Sequence, residues 1–351
     1  MKRATIQEVA HAAGVSVTSV SNYLNGRHNH LRAETLARIE DSIKQLNYSP
    51  SSVARQLKTG HTPLLGVLMP SIVNPYHSEL ALAIDEAAQQ HGFRPVLGNS
   101  HRDEKREKAF IEELVGYGVK GFIITTELTN LKVMRDFQKK GIAFVLFDLR
   151  ASEMKIPGVD VVSIDNIMAT TTAVDHLVAL GHRTIAYVTP SRLSASRKAR
   201  LKGYEDAIKR HGLGSPIIIG TDRAPNADQS DSNMAYFGQS LAADLVNHSP
   251  RPTAVICMND ILAIGVLAGL HKQGLSVPKD MSLVGIDDIQ ISGLIVPTMT
   301  SLRPDYQRLA ETAIECLQSR LSSLTSPGRE FVFAPDLIAR ESSAKISRRV
   351  R

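Results

Sequence analysis

The chain of 351 residues has no tryptophan, only two cysteines, and no apolar run approaching the roughly 18 residues a membrane helix needs. Cys257 and Cys316 cannot build a disulfide framework or a zinc site. The start, Met1-Lys2-Arg3-Ala4-Thr5, runs into a mixed polar stretch and lacks the apolar core of a signal peptide, so the chain reads as cytoplasmic with no membrane partner. No GxxxxGK phosphate loop, GxSxG elbow, HExxH helix or cysteine-nucleophile setting occurs. Asp287-Asp288 is an unconvincing acid/base pair, because neighbours on a strand point to opposite faces. The expectation is therefore a non-enzyme without cofactor or metal. His28 and His30 fall in a polar loop, where solvated side chains are the rule. What remains is ordinary: 43% hydrophobic and 22% charged residues, enough chain for two or three domains.

Charge is unevenly placed. Of the formal +6, residues 1–60 carry +4, from eight Lys/Arg against four Asp/Glu. Residues 342–351 carry another +4, from Lys345, Arg348, Arg349 and Arg351 without an acid, which leaves −2 for everything between. A small basic head on a slightly acidic body suggests that the head meets a polyanion and the body does not. The basic tail, 342–351, reads as a solvated, disordered end.

Three helical patterns fill the head. Ile6, Val9, Ala10 and Ala13 share one face, and Thr5 is placed to cap them. Gly14 stops that helix, since glycine tolerates a left-handed turn. Ser16 can cap the next helix, with Val20, Tyr23 and Leu24 inward, and Asn25-Gly26 ends it. The segment Leu31–Leu46 supplies a third helix with Leu36, Ile39, Ile43 and Leu46 inward. Two short helices about a tight turn, closed by a third, form a helix-turn-helix. Such a module leads into the major groove with the N-terminal residues of its second helix, here Val17, Thr18 and, one turn on, Asn22. Thr5, Ser16, Ser21 and Asn25 flank them as short polar groups suited to phosphate oxygens.

The run TIQEVAHAAGVSVTSVSNYLNG resembles the DNA-binding head of the lactose/galactose repressor family, and NYSPSSVARQLKTGHT resembles that family's hinge, especially in its purine-repressor branch. The likeness extends from Thr5 to about Arg340. It implies a dimeric regulator, in most cases a repressor, on a palindromic double-stranded operator. It also implies a hinge that becomes a short helix when two subunits pair on DNA, with Ser52, Val53, Ala54, Arg55, Leu57 and Lys58 at the duplex and Leu57 wedged into the minor groove. The residue types suit this. Pro50 can start a helix, Ala54 lets two helices approach, Arg55 and Lys58 can meet phosphates, and an apolar wedge kinks DNA by unstacking one step. The sequence departs from the family at Asn22, where arginine is usual. Arginine reads guanine and asparagine adenine, so the half-site is expected to differ there. Tyr23 and His28-Asn29-His30 are also unusual, in a loop that looks one residue long. Arg32 and Leu36 stand where serine and arginine are common, which weakens the expectation of a capped third helix and of one phosphate contact.

Beyond residue 62 short apolar runs alternate with amphipathic stretches: Leu64–Met69, Pro95–Leu97, Gly121–Thr125, Ala143–Phe147, Val161–Ile164, Thr184–Val188, Ile217–Ile219, Ala254–Cys257 and Leu283–Ile286. This is the pattern of parallel βα units, and nine or more strands exceed one comfortable sheet. The fold class is therefore α/β: a small all-α helix-turn-helix head and two doubly wound parallel lobes. Ligands in such sheets bind beyond the carboxyl ends of the strands, where polar residues collect here.

This body resembles the family's effector domain, itself similar to periplasmic sugar-binding proteins, through NPYHSEL, VLFDLR, ARLKGYEDAI, PTAVICMND and SLVGIDD. Carried over position by position, the family's ligand contacts fall on Tyr76, His77, Asp148, Ser196, Arg200, Asn259 and Asp287, with Arg150 and Asp260 adjacent. Arg200 presents a planar fork to vicinal hydroxyls or a carboxylate, its alternative being a surface ion pair with Glu205. Without tryptophan, any aromatic wall falls to Tyr76, Phe147 or Phe237. Asp148 with Asp287 favours a sugar or polyol as effector, whereas Arg150 with Arg200 would suit an acid or phosphorylated sugar. The implied organisation is a DNA-binding domain at 1–49, a hinge at 50–60 and an effector and dimerisation domain at 61–341. Its first lobe would comprise 61–163 and 294–324 and its second 164–293 and 325–341. Leu64–Met69 and the helix from Glu79 to His91 are the expected dimer surface. A periplasmic-type solute-binding protein is the alternative, and it leaves the basic head unexplained.

Overall fold

The structure is a computed structural model that describes residues 4–24, 26–27, 29, 31–49, 62–125, 131–148, 158–191, 194–221 and 231–346. The chain divides into two compact units, Met1–Thr62 and Pro63–Arg351.

In the first unit, α1 (Ile6–Ala12), α2 (Val17–Leu24) and α3 (Ala33–Gln45) pack around Val9, Ala10, Ala13, Val20 and Ile39. Leu36, Ile43, Leu46, Tyr23 and Leu24 are half-buried. Thr5 caps α1 in a reciprocal box with Glu8: the Glu8 amide donates to the Thr5 hydroxyl (3.3 Å) and the Thr5 amide to the Glu8 carboxylate (2.6 Å). Gly14 turns the chain at φ +62°, where a side chain would be strained. Arg32 occupies the N-cap of α3 and makes no side-chain cap bond, in keeping with the missing serine.

In the second unit, β1 (Leu64–Met69), β2 (Arg94–Asn99), β3 (Gly121–Thr125), β4 (Ala143–Phe147), β5 (Asp160–Ile164) and β11 (Glu330–Phe333) form one sheet in the order 11-5-4-3-1-2. A second sheet has the order 12-10-9-8-6-7, from β6 (Ile185–Val188), β7 (Ile217–Ile219), β8 (Ala254–Cys257), β9 (Ser282–Ile286), β10 (Thr300–Arg303) and β12 (Asp336–Ile338). All pairings are parallel except β10 with β12. Both sheets thus repeat the 2-1-3-4-5 order of a doubly wound fold. Their central strands are buried on both faces, as parallel sheets require: in β1, Leu65 and Val67 join one core layer and Leu68 the other. The helices that position the cleft are α4 (Pro75–Gln90), which follows β1, α7 (Asn166–Ala179), α8 (Ala195–Arg210), α11 (Asp260–Lys272) and α12 (Tyr306–Ser322). The first sheet also carries α5 (Glu104–Gly116) and α6 (Leu131–Gln138), and the second α9 (Met234–Ser240) and α10 (Ala242–Asn247). Helices α7 and α8 touch so closely that a Cβ on Gly203 would stand 2.3 Å from the Ile167 carbonyl.

Three expectations need correction. The second and third lobe crossings come later than 294 and 325. Strand β10 pairs with β9, so the chain stays in the second lobe through Arg303, and β11 pairs with β5, so it stays in the first through Phe333. Only the crossing at residues 163–166 falls where expected. Next, β1 is paired on both edges, by β2 and β3, and Leu65–Met69 are buried, so it offers no surface. Exposed apolar residues near it include Ile72 and Val73 just after β1, Leu82 on α4 and Leu97 on β2. Last, the tail does not begin at 342. Ser342 is fully buried, its hydroxyl donates to the Leu283 carbonyl (2.6 Å), and the Ile346 amide donates to the Leu180 carbonyl (3.0 Å). Residues 342–346, Ser-Ser-Ala-Lys-Ile, carry one charge and bond to the second lobe; the three arginines of the tail lie outside the described residues.

Candidate functional site

In the head, Ser16, Val17 and Thr18 are exposed at the start of α2, and Ser21 and Asn22 are half-buried one turn on. Ser16 caps α2 by accepting from the Ser19 amide (3.1 Å). Val17 leaves 42% of its surface in water at the start of α2, whereas Val20 one turn on is buried. Asn25 and the hinge residues Ser52, Val53, Ala54, Arg55, Leu57 and Lys58 lie outside the described residues, as does Arg150.

In the body, the polar residues at the strand ends converge. Arg200, on α8, is 6% exposed. Its Nε donates to Asn166 Oδ1 (2.7 Å), one terminal nitrogen to the Met258 carbonyl (2.6 Å) and the other to Asp287 Oδ1 (3.1 Å). The surface pair with Glu205 is therefore not formed by this buried side chain. Asp287, after β9, has φ +112° and Asp148, after β4, φ +57°, both in the region that side chains avoid. The Tyr76 hydroxyl, at the first turn of α4, donates to Asp148 Oδ2 (3.1 Å). Its ring is spent on packing against His77 and Tyr306, with centroids 5.2 and 5.8 Å away.

Asp148 Oδ1 is buried and has no hydrogen-bond partner among the described residues, and the Tyr187 hydroxyl is in the same state. Tyr187 was invisible in the sequence, where it reads as one more apolar position of β6. Burial pushes the Asp148 carboxyl up, opposed by the Arg200 charge, the Tyr76 hydrogen bond and the nearby Ile164 amide and Asn166 side chain, which approach it without hydrogen-bond geometry to Oδ1. Asp287 is raised to about 7, by burial first and by the nearby Asp148 and Glu79 charges, with Arg200 holding it back. A cavity of about 400 Å³ opens beside this network, lined by Asp148, Ser163, Asn166, Ser196, Glu330 and Val332 among others.

Other nominated residues are used differently. Asn259 caps α11, its Oδ1 accepting from the Leu262 amide (2.9 Å). Asp260 takes donors on both oxygens, from Ser301 (2.7 Å), Ser292 (2.7 Å) and the Ile289 amide (3.0 Å). It pins the 289–301 loop to α11 and is raised to about 8 chiefly by burial. Ser196 bonds to Ser194 (3.0 Å). Phe147 and Phe237 belong to the cores of the two lobes, so neither forms an aromatic wall.

Among the contacts that cross between the lobes are the Tyr306 hydroxyl to the Asp287 carbonyl (2.8 Å), the Gln290 amide to Glu79 (3.1 Å), and Arg102 to Asp231 (2.6 Å). Among the described residues no group of three or more His, Cys, Asp or Glu could hold a metal ion, and no helix is long and apolar enough to cross a membrane.

Fold and site together define the class of protein: a helix-turn-helix joined in one chain to a two-lobed body with polar residues gathered at its strand ends. Residues 5–51 match the family described as "Bacterial regulatory proteins, lacI family", and residues 174–343 match "Periplasmic binding protein-like domain". The HTH-type transcriptional regulator PtxS of Pseudomonas plecoglossicida is 32% identical over 343 residues, 97% of this chain and 96% of that one. Among solved structures, the lac repressor dimer bound to operator and the anti-inducer ONPF is similar at 26% identity, with a TM-score of 0.81 over 98% of this chain and 100% of that one. A LacI family regulator from Enterococcus faecium with bound ribose is 27% identical, with a TM-score of 0.70 over 81% of this chain and 100% of that one. The chain belongs to the lacI family of bacterial regulatory proteins and is a DNA-binding transcriptional regulator; its relatives are regulators, not enzymes.

Proposed function

We propose that this regulator represses transcription in the cytoplasm by binding a palindromic operator as a homodimer, and that a sugar or sugar derivative between the two lobes tunes its grip. The observation that carries the effector half is the buried, unpaired oxygen of Asp148 at the wall of an interlobe cavity. A buried carboxylate oxygen without a donor is unfavourable, and a ligand hydroxyl supplies the donor. Asp287 and Arg200 beside it offer further acceptors and donors for hydroxyls, and a similar regulator was solved with ribose.

For DNA, Val17, Thr18 and Asn22 read bases, while Thr5, Ser16, Ser21, Asn25, Arg55 and Lys58 hold phosphates and Leu57 opens the minor groove. A ligand that prefers one lobe arrangement shifts operator affinity by its differential affinity, typically about 1–3 kcal/mol or 5–150-fold. Gel retardation with genomic fragments tests the reading, using the intact chain and one lacking residues 1–62, alongside thermal-shift screening of carbohydrates. Sequence-selective retardation lost on truncation, together with a carbohydrate hit, is expected. Hits confined to nucleobases or amino acids would remove the sugar.

A further inference from the structure

Beside the Asp148–Tyr76 pair lies a second cluster that hydroxyl recognition does not use. Arg102, just after β2 in the first lobe, and Arg197, on the first turn of α8 in the second, both face the carboxylate of Asp231. The Asp231 side chain is 4% exposed, and those of Arg102 and Arg197 are 17% and 11% exposed. His77, the residue after Tyr76, feels all three charges, with its Nδ1 held 2.8 Å from the Ser71 carbonyl. The cluster is linked to the cavity wall through Tyr76, whose hydroxyl bonds Asp148 and whose ring packs 5.2 Å from that of His77; Ser196, which lines the cavity, is the chain neighbour of Arg197.

Asp231 fits this seat on one side only. Its Oδ2 takes a short bond from Arg102 (2.6 Å), but its Oδ1 stands 3.7 Å from Arg197, too far for a hydrogen bond. That buried oxygen has no hydrogen-bond partner among the described residues. Two guanidinium groups from opposite lobes, sharing one loosely held carboxylate next to a polyol cavity, make an anion seat with an internal occupant.

We propose that Arg102 and Arg197 recognise an anionic group of the effector, a carboxylate or a phosphate on a sugar skeleton, and that Asp231 is the internal competitor it displaces. This deepens the sugar reading and rests on it. The effector is then an acidic sugar derivative, its hydroxyls on Asp148 and Asp287 and its anion bridging the lobes. Replacing Asp231 would exchange the present interlobe tie for one through the ligand, so that only an anionic effector reorganises the lobe contact.

The test is calorimetric titration of the intact protein with D-glucose, D-galactose and D-ribose, with their aldonates and uronates, and with their terminal phosphates. At least one acidic sugar is expected to bind ten-fold or more tighter than its neutral parent. Arg197→Gln and, from the other lobe, Arg102→Gln should each erase that preference while leaving the affinity for the neutral parent within about two-fold. Asp231→Asn should strengthen binding of the acid, because the competitor is gone. Preference for carboxylates over phosphates, or the reverse, names the anion. Neutral sugars binding as tightly as their acids would overturn the anion seat and leave the sugar reading standing. Weakening of acids and neutral sugars alike by Asp231→Asn would make the cluster a structural tie and overturn it too. No binding by any member would defeat the sugar reading itself.

Discussion

Asp287 shows how far one residue's surroundings set its chemistry. Burial and the neighbouring Asp148 and Glu79 charges raise its carboxyl to about 7, although Arg200 is bonded to it. Only the ionised form accepts hydrogen bonds on both oxygens. Titration with a bound neutral sugar should therefore show affinity rising up to about ten-fold from pH 6 to pH 8, levelling above. A flat profile would place the hydroxyls elsewhere. Asp160 is the opposite case. Buried in the first lobe, it pairs with Arg320 (2.5 Å) and Arg329 (2.8 Å) and is held down at about 2. Its lowered value means that its contribution to stability is complete above the usual aspartate value and is lost as pH falls from there through about 2. Asp160→Asn should lower stability at pH 7 by about 3–5 kcal/mol, because two arginines lose their partner, one of them fully buried. Denaturant melts at pH 7 and pH 3 check this: the difference between variant and parent should shrink at the lower pH.

At the scale of the element, nine strands were legible because apolar runs bounded by glycine, proline or charge are what a doubly buried parallel strand requires. Strands β10, β11 and β12 were not, since Thr-Ser-Leu-Arg, Glu-Phe-Val-Phe and Asp-Leu-Ile are too short or too mixed to stand out; they are set by pairing with distant partners. Arg200 and Asp287 could be nominated from their motifs, and the structure brings them together. Asp231 and Arg102 could not, because their meaning arises only when segments of both lobes meet, and Tyr187 could not, because it reads as an apolar position of β6. Helix α2 carries its own prediction. Asn22→Arg should move the preferred half-site toward guanine at one position by about 1–3 kcal/mol, read by selection from a randomised operator pool. An unchanged preference would remove Asn22 from the base contacts. Between α7 and α8, Gly203→Ala should lower the melting point of the body by the equivalent of about 1–3 kcal/mol, since the added methyl meets the Ile167 carbonyl and the Thr170 hydroxyl of α7 at a close crossing. An unaltered melt would show that the two helices part without penalty.

For the whole molecule, charge and topology divide the labour. The head carries the basic excess and the exposed tip of α2; the body carries buried carboxylates and arginines at the ends of two like-ordered sheets. Interlobe contacts such as Arg102–Asp231, Glu79–Gln290 and Tyr306–Asp287 are points at which a ligand can favour one lobe arrangement over another. The most direct measurement is operator affinity of the full-length protein at fixed salt, with and without a saturating carbohydrate hit from the thermal-shift screen. The account predicts a 5–150-fold change in the affinity for the selected operator, in either direction, with non-specific DNA unaffected. Equal operator affinity in the two conditions would contradict it.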